Sequence, residues 1–183
     1  MDSTADNYRR FLEGDDRGIE QIIREHKDGL IMYLHTYVGN LVIAEDLTED
    51  TFVKLVLKRP RLINNAVFKT WLYTIAANVA RDYLRKNKEK EVSLDDCPEV
   101  SADEAGLEQS YIRKVEKIAL HRTMRKLKWE YQQVLWLIYF EDFSHKEVAK
   151  IMKKSVHNVE TLAYRARRAL KTKLLEEGYD YED

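Results

Sequence analysis

Two helix starts that lie very close together constrain the fold of this chain more than any other feature. Ser144 and Ser155 each precede a stretch with apolar residues at helical spacing, and serine is a preferred N-cap because its hydroxyl oxygen accepts a backbone N–H bond. No room remains for a loop between the two helices, so the pattern predicts a helix-turn-helix. We expect the first helix to bury Val148, Ala149, Ile151 and Met152, and the second to bury Val156, Val159 and Leu162.

The second of these helices carries a row of cations toward its end: Arg165, Arg167, Arg168, Lys171 and Lys173. Cations near a helix C-terminus also complement the helix dipole. An alternative interpretation is therefore that these residues form only a solvent-exposed face of the helix. In a helix-turn-helix, however, the second helix enters the major groove of DNA. The composition of this helix therefore favours DNA binding.

Charge is segregated along the chain, although the formal net charge is only −1. Residues 1–50 carry five Lys or Arg against twelve Asp or Glu, whereas residues 51–88 carry nine against one. Residues 89–110 are acidic again, with one Lys or Arg against eight Asp or Glu. Residues 111–175 are basic, with sixteen Lys or Arg against six Asp or Glu. Two basic tracts separated by an acidic connector indicate two surfaces for a polyanion, for which nucleic acid is the natural candidate.

The composition is that of a cytoplasmic protein. With 183 residues and 44% hydrophobic content, the chain can bury one or two small cores. No apolar run approaches the roughly 20 residues of a membrane span, and the N-terminal residues lack the apolar core of a signal peptide, so we expect no membrane insertion. The single cysteine, Cys97, cannot form an internal disulfide.

Two prolines, six glycines and sustained helical periodicity predict an all-α protein. The region 91–109 has little periodicity and is long for a loop inside one domain, so we place the domain boundary there. The expected domains are residues 1–90 and 110–183, joined by the acidic linker 91–109. The predicted helices span 4–13, 17–38, 41–58, 66–88, 110–126, 130–141, 144–152 and 156–177, with Asn40 and Asn65 as caps of the third and fourth.

The basic tract of the first half combines a polar turn with an aromatic helix. Residues 59–65 contain a proline, two asparagines and two arginines, which predicts an ordered turn that exposes hydrogen-bonding groups. In the helix that follows, Trp71 and Tyr73 stand among cations, an arrangement that suits stacking with unpaired bases. Both rings are alternatively core residues. The expected core stripe of this helix is Phe68, Leu72, Ile75, Ala76 and Val79.

The helix before that turn carries Glu45, Asp46, Glu49 and Asp50 beside apolar residues. Four carboxylates suggest a metal site, but an EF-hand loop needs a central glycine and di-metal bundles need Glu-x-x-His pairs, which do not occur here. We therefore expect no metal, and we interpret the helix as a docking surface for a basic partner. The chain also lacks a nucleophile paired with a base and a glycine-rich phosphate loop, so we expect neither an enzyme nor a cofactor.

Nearly the whole chain resembles the extracytoplasmic-function (ECF) sigma factors, the smallest sigma-70-like initiation factors of bacterial RNA polymerase. Residues 14–40 and the motif AEDLTEDTFVKL are similar to the start of sigma region two, and FKTWLYTIAANVARDYLRK is similar to its promoter-melting helix. The stretch LKWEYQQVLWLIYFEDFSHKEVAKIM and its continuation are similar to region four. The resemblance implies a subunit that binds core RNA polymerase and directs promoter-specific initiation, with an anti-sigma factor as a further expected partner.

The resemblance also implies roles for individual residues. The core-polymerase surface would consist of Glu45, Asp46, Leu47, Glu49, Asp50, Phe52 and Val53. The minus-ten element of promoter DNA would contact Leu62, Ile63, Asn64, Asn65, Trp71, Tyr73, Asn78, Arg81 and Arg85. The minus-thirty-five element would contact His157, Asn158, Glu160, Thr161, Tyr164, Arg165, Arg168 and Lys171.

The sequence departs from the family pattern at two positions. Lys153 occupies a turn position where the family often has glycine, so we expect a left-handed or bridge backbone conformation there. Glu160 stands where a cation is common, and a carboxylate accepts from a cytosine amino group but repels phosphate. The main alternative function is a helix-turn-helix transcriptional regulator with an N-terminal sensing or dimerisation domain.

Overall fold

The computed structural model describes residues 3–61, 65–88 and 115–179, and within these ranges it is helical without strands. The expected all-α class is therefore confirmed. The helices fall into two compact units: those between residues 4 and 86 form the first, and nearly all helical residues between 115 and 176 form the second. Among the described residues, no helix combines the length and the apolar character needed to cross a membrane.

The first unit contains α1 (Thr4–Leu12), α2 (Arg17–Val38), α3 (Leu41–Lys58) and α4 (Asn65–Lys86). Local chemistry sets these bounds. The side chain of Ser3 accepts from the backbone N–H of Asp6, and Asp6 accepts in return from the backbone of Ser3. The predicted cap Asn40 accepts from the N–H of Ile43 at 3.0 Å. The helix α4 includes Asn65, so it begins one residue earlier than the predicted cap implied.

Helices α1 and α2 approach each other closely at Gly18. A Cβ atom at this position would lie 2.2 Å from the carbonyl oxygen of Asn7, so only glycine fits there. The close approach brings Tyr8 and Phe11 of α1 into the core, where the Tyr8 ring lies 4.8 Å from the Phe68 ring of α4. The expected stripe of α4 is buried throughout, as Phe68, Leu72, Ile75, Ala76 and Val79.

The second unit contains α5 (Val115–Met124), α6 (Trp129–Leu135), a π-helical turn (Trp136–Phe140), α7 (His145–Met152) and α8 (Val156–Glu176). The wide turn lets Glu141 donate its backbone N–H to the carbonyl oxygen of Trp136, five residues earlier. It also stacks the rings of Trp136 and Phe140 with centroids 4.3 Å apart.

A buried histidine completes this aromatic cluster. His121 of α5 meets the Trp136 ring edge-on at 5.7 Å and the Phe140 ring at 6.2 Å. Burial lowers the pKa of His121 to about 3, and the nearby charge of Arg125 adds to the shift. The imidazole is therefore neutral at physiological pH and acts as part of the core.

Candidate functional surfaces

The outer face of α3 combines carboxylates with exposed apolar side chains. Asp46, Glu49 and Asp50 are exposed, and Glu45 is partly exposed. Val53, on the same face, has 55% of its surface exposed. Positions 46, 49, 50 and 53 follow helical spacing, so one partner can contact all of them.

Two members of the predicted α3 surface are buried instead. Leu47 is 4% exposed and Phe52 is 6% exposed, because their side of α3 packs in the core of the first unit. The prediction that they lie on the surface was wrong, and they support the exposed face from below. Sequence reasoning missed Val42 and Leu57, which are 65% and 76% exposed and lengthen the face by a turn at each end. Their exposure as large apolar residues is the signal that identifies them.

The helix α4 presents a partly aromatic and partly cationic side. Trp71 is partly exposed and lies against Phe68, with ring centroids 6.3 Å apart. Arg81 donates to the side-chain oxygen of Asn78 at 3.0 Å, and Arg85 is exposed and paired with Asp82 at 2.9 Å. Exposed ion pairs of this kind are weak, so Arg85 remains available to another anion.

Tyr73 was wrongly predicted to contact bases. Its side chain is fully buried, and its ring lies 5.4 Å from that of Tyr33 in α2. A ring enclosed in this way cannot stack on a base without unfolding the unit. Tyr73 is a core residue, which was the alternative interpretation of the sequence.

The turn between α3 and α4 is described up to residue 61. Arg59 ends α3 in a left-handed conformation, with φ 40° and ψ 51°. The predicted base-contacting residues Leu62, Ile63 and Asn64 lie outside the described residues. Asn65 is placed in the first turn of α4, but its side chain lies outside the description as well.

The helix-turn-helix forms as the sequence predicts. Ser144 and Glu147 make a reciprocal capping box at the start of α7, with bonds of 3.3 and 2.7 Å, and the hydroxyl of Ser155 accepts from Asn158 at 3.1 Å. Between the helices, Lys153 adopts the left-handed conformation with φ 53° and ψ 46°. The expected apolar face of α7 is buried, as Val148, Ala149, Ile151 and Met152.

The buried face of α8 contains Val159, Ala163, Ala166, Leu170 and Leu174. Val156 was predicted to be buried but is 37% exposed, because it occupies the first turn and extends beyond the packed part of the helix. Leu162 is partly buried. All eight predicted DNA contacts of α8 are accessible: His157, Asn158, Glu160, Tyr164, Arg165, Arg168 and Lys171 are exposed and Thr161 is partly exposed.

Side chains on α8 are ordered by neighbours that the sequence did not reveal. The guanidinium carbon of Arg168 lies 5.8 Å from the centre of the Tyr164 ring, within range of a cation–π interaction. Arg167 lies 3.4 Å from the hydroxyl of Tyr139, which the π-helical turn presents. Near the end of α8, Glu177 accepts from Thr123 at 2.8 Å and forms an ion pair with Lys126. The helix is thereby held against α5.

Two family models match the chain, one in each half of the sequence. The model Sigma-70 region 2 matches residues 22–90, which include the faces of α3 and α4. The model Sigma-70, region 4 matches residues 117–170, which include the helix-turn-helix. The three candidate surfaces on α3, α4 and α8 thus fall within matched regions, except for Lys171, which follows the second region directly.

Curated relatives match most of the chain. RNA polymerase sigma factor YlaC of Bacillus subtilis (strain 168) is 31% identical over 160 residues, covering 84% of this chain and 90% of the relative. ECF RNA polymerase sigma factor SigM of the same organism is 31% identical over 154 residues, covering 84% of this chain and 93% of the relative.

Solved structures share the fold. CnrH in complex with the cytosolic domain of CnrY aligns with a TM-score of 0.64 and 22% identity, covering 97% of this chain and 100% of that one. The sigma factor RpoE in complex with the anti-sigma factor NepR from Bartonella quintana aligns with a TM-score of 0.62 and 20% identity. The alignment covers 85% of this chain and 95% of that one.

Proposed function

The chain belongs to the sigma-70 family as an ECF sigma factor, and from this premise we propose how its surfaces divide the work of initiation. A sigma factor binds core RNA polymerase and directs it to promoters. We assign core binding to the outer face of α3, minus-ten recognition to α4 and the turn before it, and minus-thirty-five recognition to the exposed face of α8.

One observation carries this assignment. The same chain presents an acidic face with exposed apolar residues on α3 and a polar, cationic face on α8. The first composition suits a protein partner, because exposed Val42, Val53 and Leu57 gain from burial. The second suits the major groove, because Arg, Thr and Glu side chains pair with base edges there.

The polymerase surface is Glu45, Asp46, Glu49, Asp50 and Val53, extended by Val42 and Leu57. Carboxylates at its centre complement a cationic partner and raise the rate of association. The apolar residues at both ends of the helix exclude water around that contact. Leu47 and Phe52 contribute indirectly, since their packing keeps α3 in place.

The minus-ten surface uses the partly exposed ring of Trp71 for stacking, Asn78 for a base edge, and Arg81 and Arg85 for phosphates. Stacking on an aromatic side chain contributes about 1 to 3 kcal/mol per base, which helps to offset the cost of unpairing. Leu62, Ile63, Asn64 and Asn65 complete this surface in the proposal.

The minus-thirty-five surface extends along α8. Tyr164 and Arg165 lie at its centre among the base readers His157, Asn158, Glu160 and Thr161, while Arg168 and Lys171 bind phosphates. The contact of Arg168 with the Tyr164 ring limits the rotamers of both side chains before DNA arrives, which reduces the entropy cost of binding.

We also assign residues 1–90 to region two, 91–109 to a linker and 110–183 to region four. The protein acts in the cytoplasm, where core polymerase and promoter DNA are found, and it performs no catalysis itself. An anti-sigma factor is a further partner in this proposal, because RpoE of Bartonella quintana was solved with the anti-sigma factor NepR. The alternative of a conventional regulator is set aside, since relatives at 31% identity cover 84% of the chain.

Run-off transcription from a randomised promoter library tests the proposal. Purified chain added to core polymerase should produce defined transcripts that core polymerase alone does not produce. A regulator would instead bind duplex DNA tightly by itself and would not alter the products of core polymerase. Absence of any complex with core polymerase in size-exclusion chromatography would contradict the proposed function.

A further inference from the structure

The N-terminal helix α1 contacts the backbone at the point where it leaves α3. The hydroxyl of Tyr8 donates a hydrogen bond to the carbonyl oxygen of Pro60. The guanidinium carbon of Arg59 lies 4.8 Å from the centre of the Phe11 ring. Tyr8 and Phe11 are neighbours on one face of α1, so a single short helix holds two consecutive residues of the turn.

These contacts are fixed in the core of the first unit. Tyr8 and Phe11 are each only 2% exposed, and the Tyr8 ring also packs on Phe68 near the start of α4. Tyr8 therefore contacts both the turn, at Pro60, and the helix that follows it, at Phe68. Movement of the turn relative to α4 would break one of these contacts.

The backbone of Arg59 depends on such support. A non-glycine residue in the left-handed conformation carries a steric penalty between its Cβ atom and the backbone, so contacts that hold it there are needed. The side chain of Arg59 donates to the carbonyl oxygen of Val56 at 3.2 Å and lies over the Phe11 ring. The direction in which the chain leaves α3 is thus set by contacts with α1 as well as by the turn.

We propose that Tyr8 and Phe11 are positioning residues for promoter opening, because they fix the place from which the segment after Arg61 approaches unpaired DNA. The inference rests on the proposed function, which assigns base capture to that segment. Neither residue needs to contact DNA. A change in either should affect opening of the promoter and leave binding to core polymerase intact.

The Tyr8 contact is constant over the physiological pH range. Burial raises the pKa of Tyr8 to about 12, although the charge of Arg59 opposes the shift. The hydroxyl keeps its proton and remains a donor to Pro60. Substitution by phenylalanine therefore removes one neutral hydrogen bond and retains the ring that packs on Phe68.

The test compares Tyr8→Phe with the matched control Thr36→Val. The buried Thr36 hydroxyl donates to the carbonyl oxygen of Tyr33 at 2.6 Å inside the same unit, so the control also loses a hydroxyl that bonds to a backbone carbonyl but leaves the turn untouched. For each full-length variant, the melting temperature and the affinity for core polymerase are measured. The opening rate is followed with 2-aminopurine in the minus-ten element of a promoter selected with the wild-type holoenzyme.

We expect Tyr8→Phe to slow opening about fivefold, the effect of one hydrogen bond of about 1 kcal/mol, with core affinity unchanged. Thr36→Val should open the promoter at the wild-type rate even if its melting temperature falls equally. Phe11→Leu, which keeps an apolar side chain but removes the ring under Arg59, should also slow opening. Amide hydrogen exchange of residues 57–61 should accelerate in Tyr8→Phe and Phe11→Leu only.

Wild-type opening by Tyr8→Phe would overturn the inference, as would equal slowing by Tyr8→Phe and Thr36→Val. Failure of the proposed function gives a different result, because the wild-type chain would then not bind core polymerase or open any selected promoter. That result would overturn the inference too, since positioning for opening would have no meaning.

Discussion

The side-chain oxygen of Asn78 accepts a hydrogen bond from Arg81, one turn later in α4, at 3.0 Å. The bond orients the amide so that its NH₂ group points away from Arg81. It also couples a proposed base-reading residue to a proposed phosphate-binding residue. Replacement of Asn78 therefore affects both contacts, and a variant that keeps an acceptor is needed to separate them.

Asn78→Ala should slow promoter opening by roughly tenfold, because it removes the proposed base contact and one of the hydrogen bonds that orient Arg81. Asn78→Asp keeps the acceptor for Arg81 but loses the amide donor and repels DNA, so it should be at least as defective. Both are measured by 2-aminopurine fluorescence, with Asn87→Ala at the end of the helix as the control. Normal opening by Asn78→Asp would show that the amide donor has no role.

Asp50→Ala and Leu57→Ala should each weaken binding to core polymerase by about fivefold, the usual effect of truncating a contributing interface residue. The two effects should differ in salt dependence. At high salt the defect of Asp50→Ala should shrink because charge is screened, whereas that of Leu57→Ala should persist. Fluorescence anisotropy measures the affinities, and Glu20→Ala, an exposed carboxylate of α2, is the control. Equal losses in all three variants would argue against a specific α3 surface.

Arg165→Ala should relax sequence preference at one position of the minus-thirty-five element, as expected for a residue that reads a base edge. Arg168→Ala should instead weaken binding to all sequences and reduce the slope of log K against log salt by about one. Binding of holoenzyme to a library randomised in this element separates the two results. Lys128→Ala, an exposed cation outside α8, should change neither quantity.

Acid should destabilise the second unit through His121. Its pKa is about 3 when folded and about 6.5 when unfolded, so the unfolded state binds the extra proton. The stability that depends on neutral His121 is fully present above about pH 6.5. It is lost as the pH falls toward 3, at up to about 1.4 kcal/mol of unfolding free energy per pH unit. Urea unfolding of Trp71→Phe, followed by the fluorescence of Trp129 and Trp136, measures this slope. His121→Gln should flatten it, and an unchanged slope would exclude His121 as its source.

Lys153→Gly should stabilise the helix-turn-helix by up to about 1 kcal/mol, since glycine adopts the left-handed conformation without a Cβ penalty. The same change inside α7, Lys150→Gly, should destabilise by a similar amount because glycine is a poor helix former. Thermal unfolding measures both. Destabilisation by Lys153→Gly would indicate that the lysine side chain itself stabilises the turn.

Most of the fold could be predicted from the sequence, because caps and periodicity are local. Asn40, Ser144 and Ser155 mark helix starts through side chains that bond to the next turn, and each makes the predicted bond. Lys153 adopts the left-handed conformation, one of the two expected from its place at a turn position where the family often has glycine. These features depend on a few consecutive residues.

The errors concern tertiary contacts. Leu47 and Phe52 were assigned to a surface by resemblance to the family, and Tyr73 because it stands among cations; neither criterion gives the neighbours that cover a side chain. The contact of Tyr8 with Pro60 was missed because it joins residues 52 positions apart. Val156 lies in phase with buried residues, yet it extends past the end of the packed region.

Two alanines, Ala163 and Ala166, lie fully buried on the side of α8 opposite its exposed face. Their small side chains let α8 pack closely against the rest of the second unit. They therefore determine how far the exposed face of α8 projects. A methylene added to either side chain would tilt or shift that face without changing any residue to which we assign a base contact. In the proposed function, Ala163 and Ala166 therefore influence promoter recognition without contacting DNA.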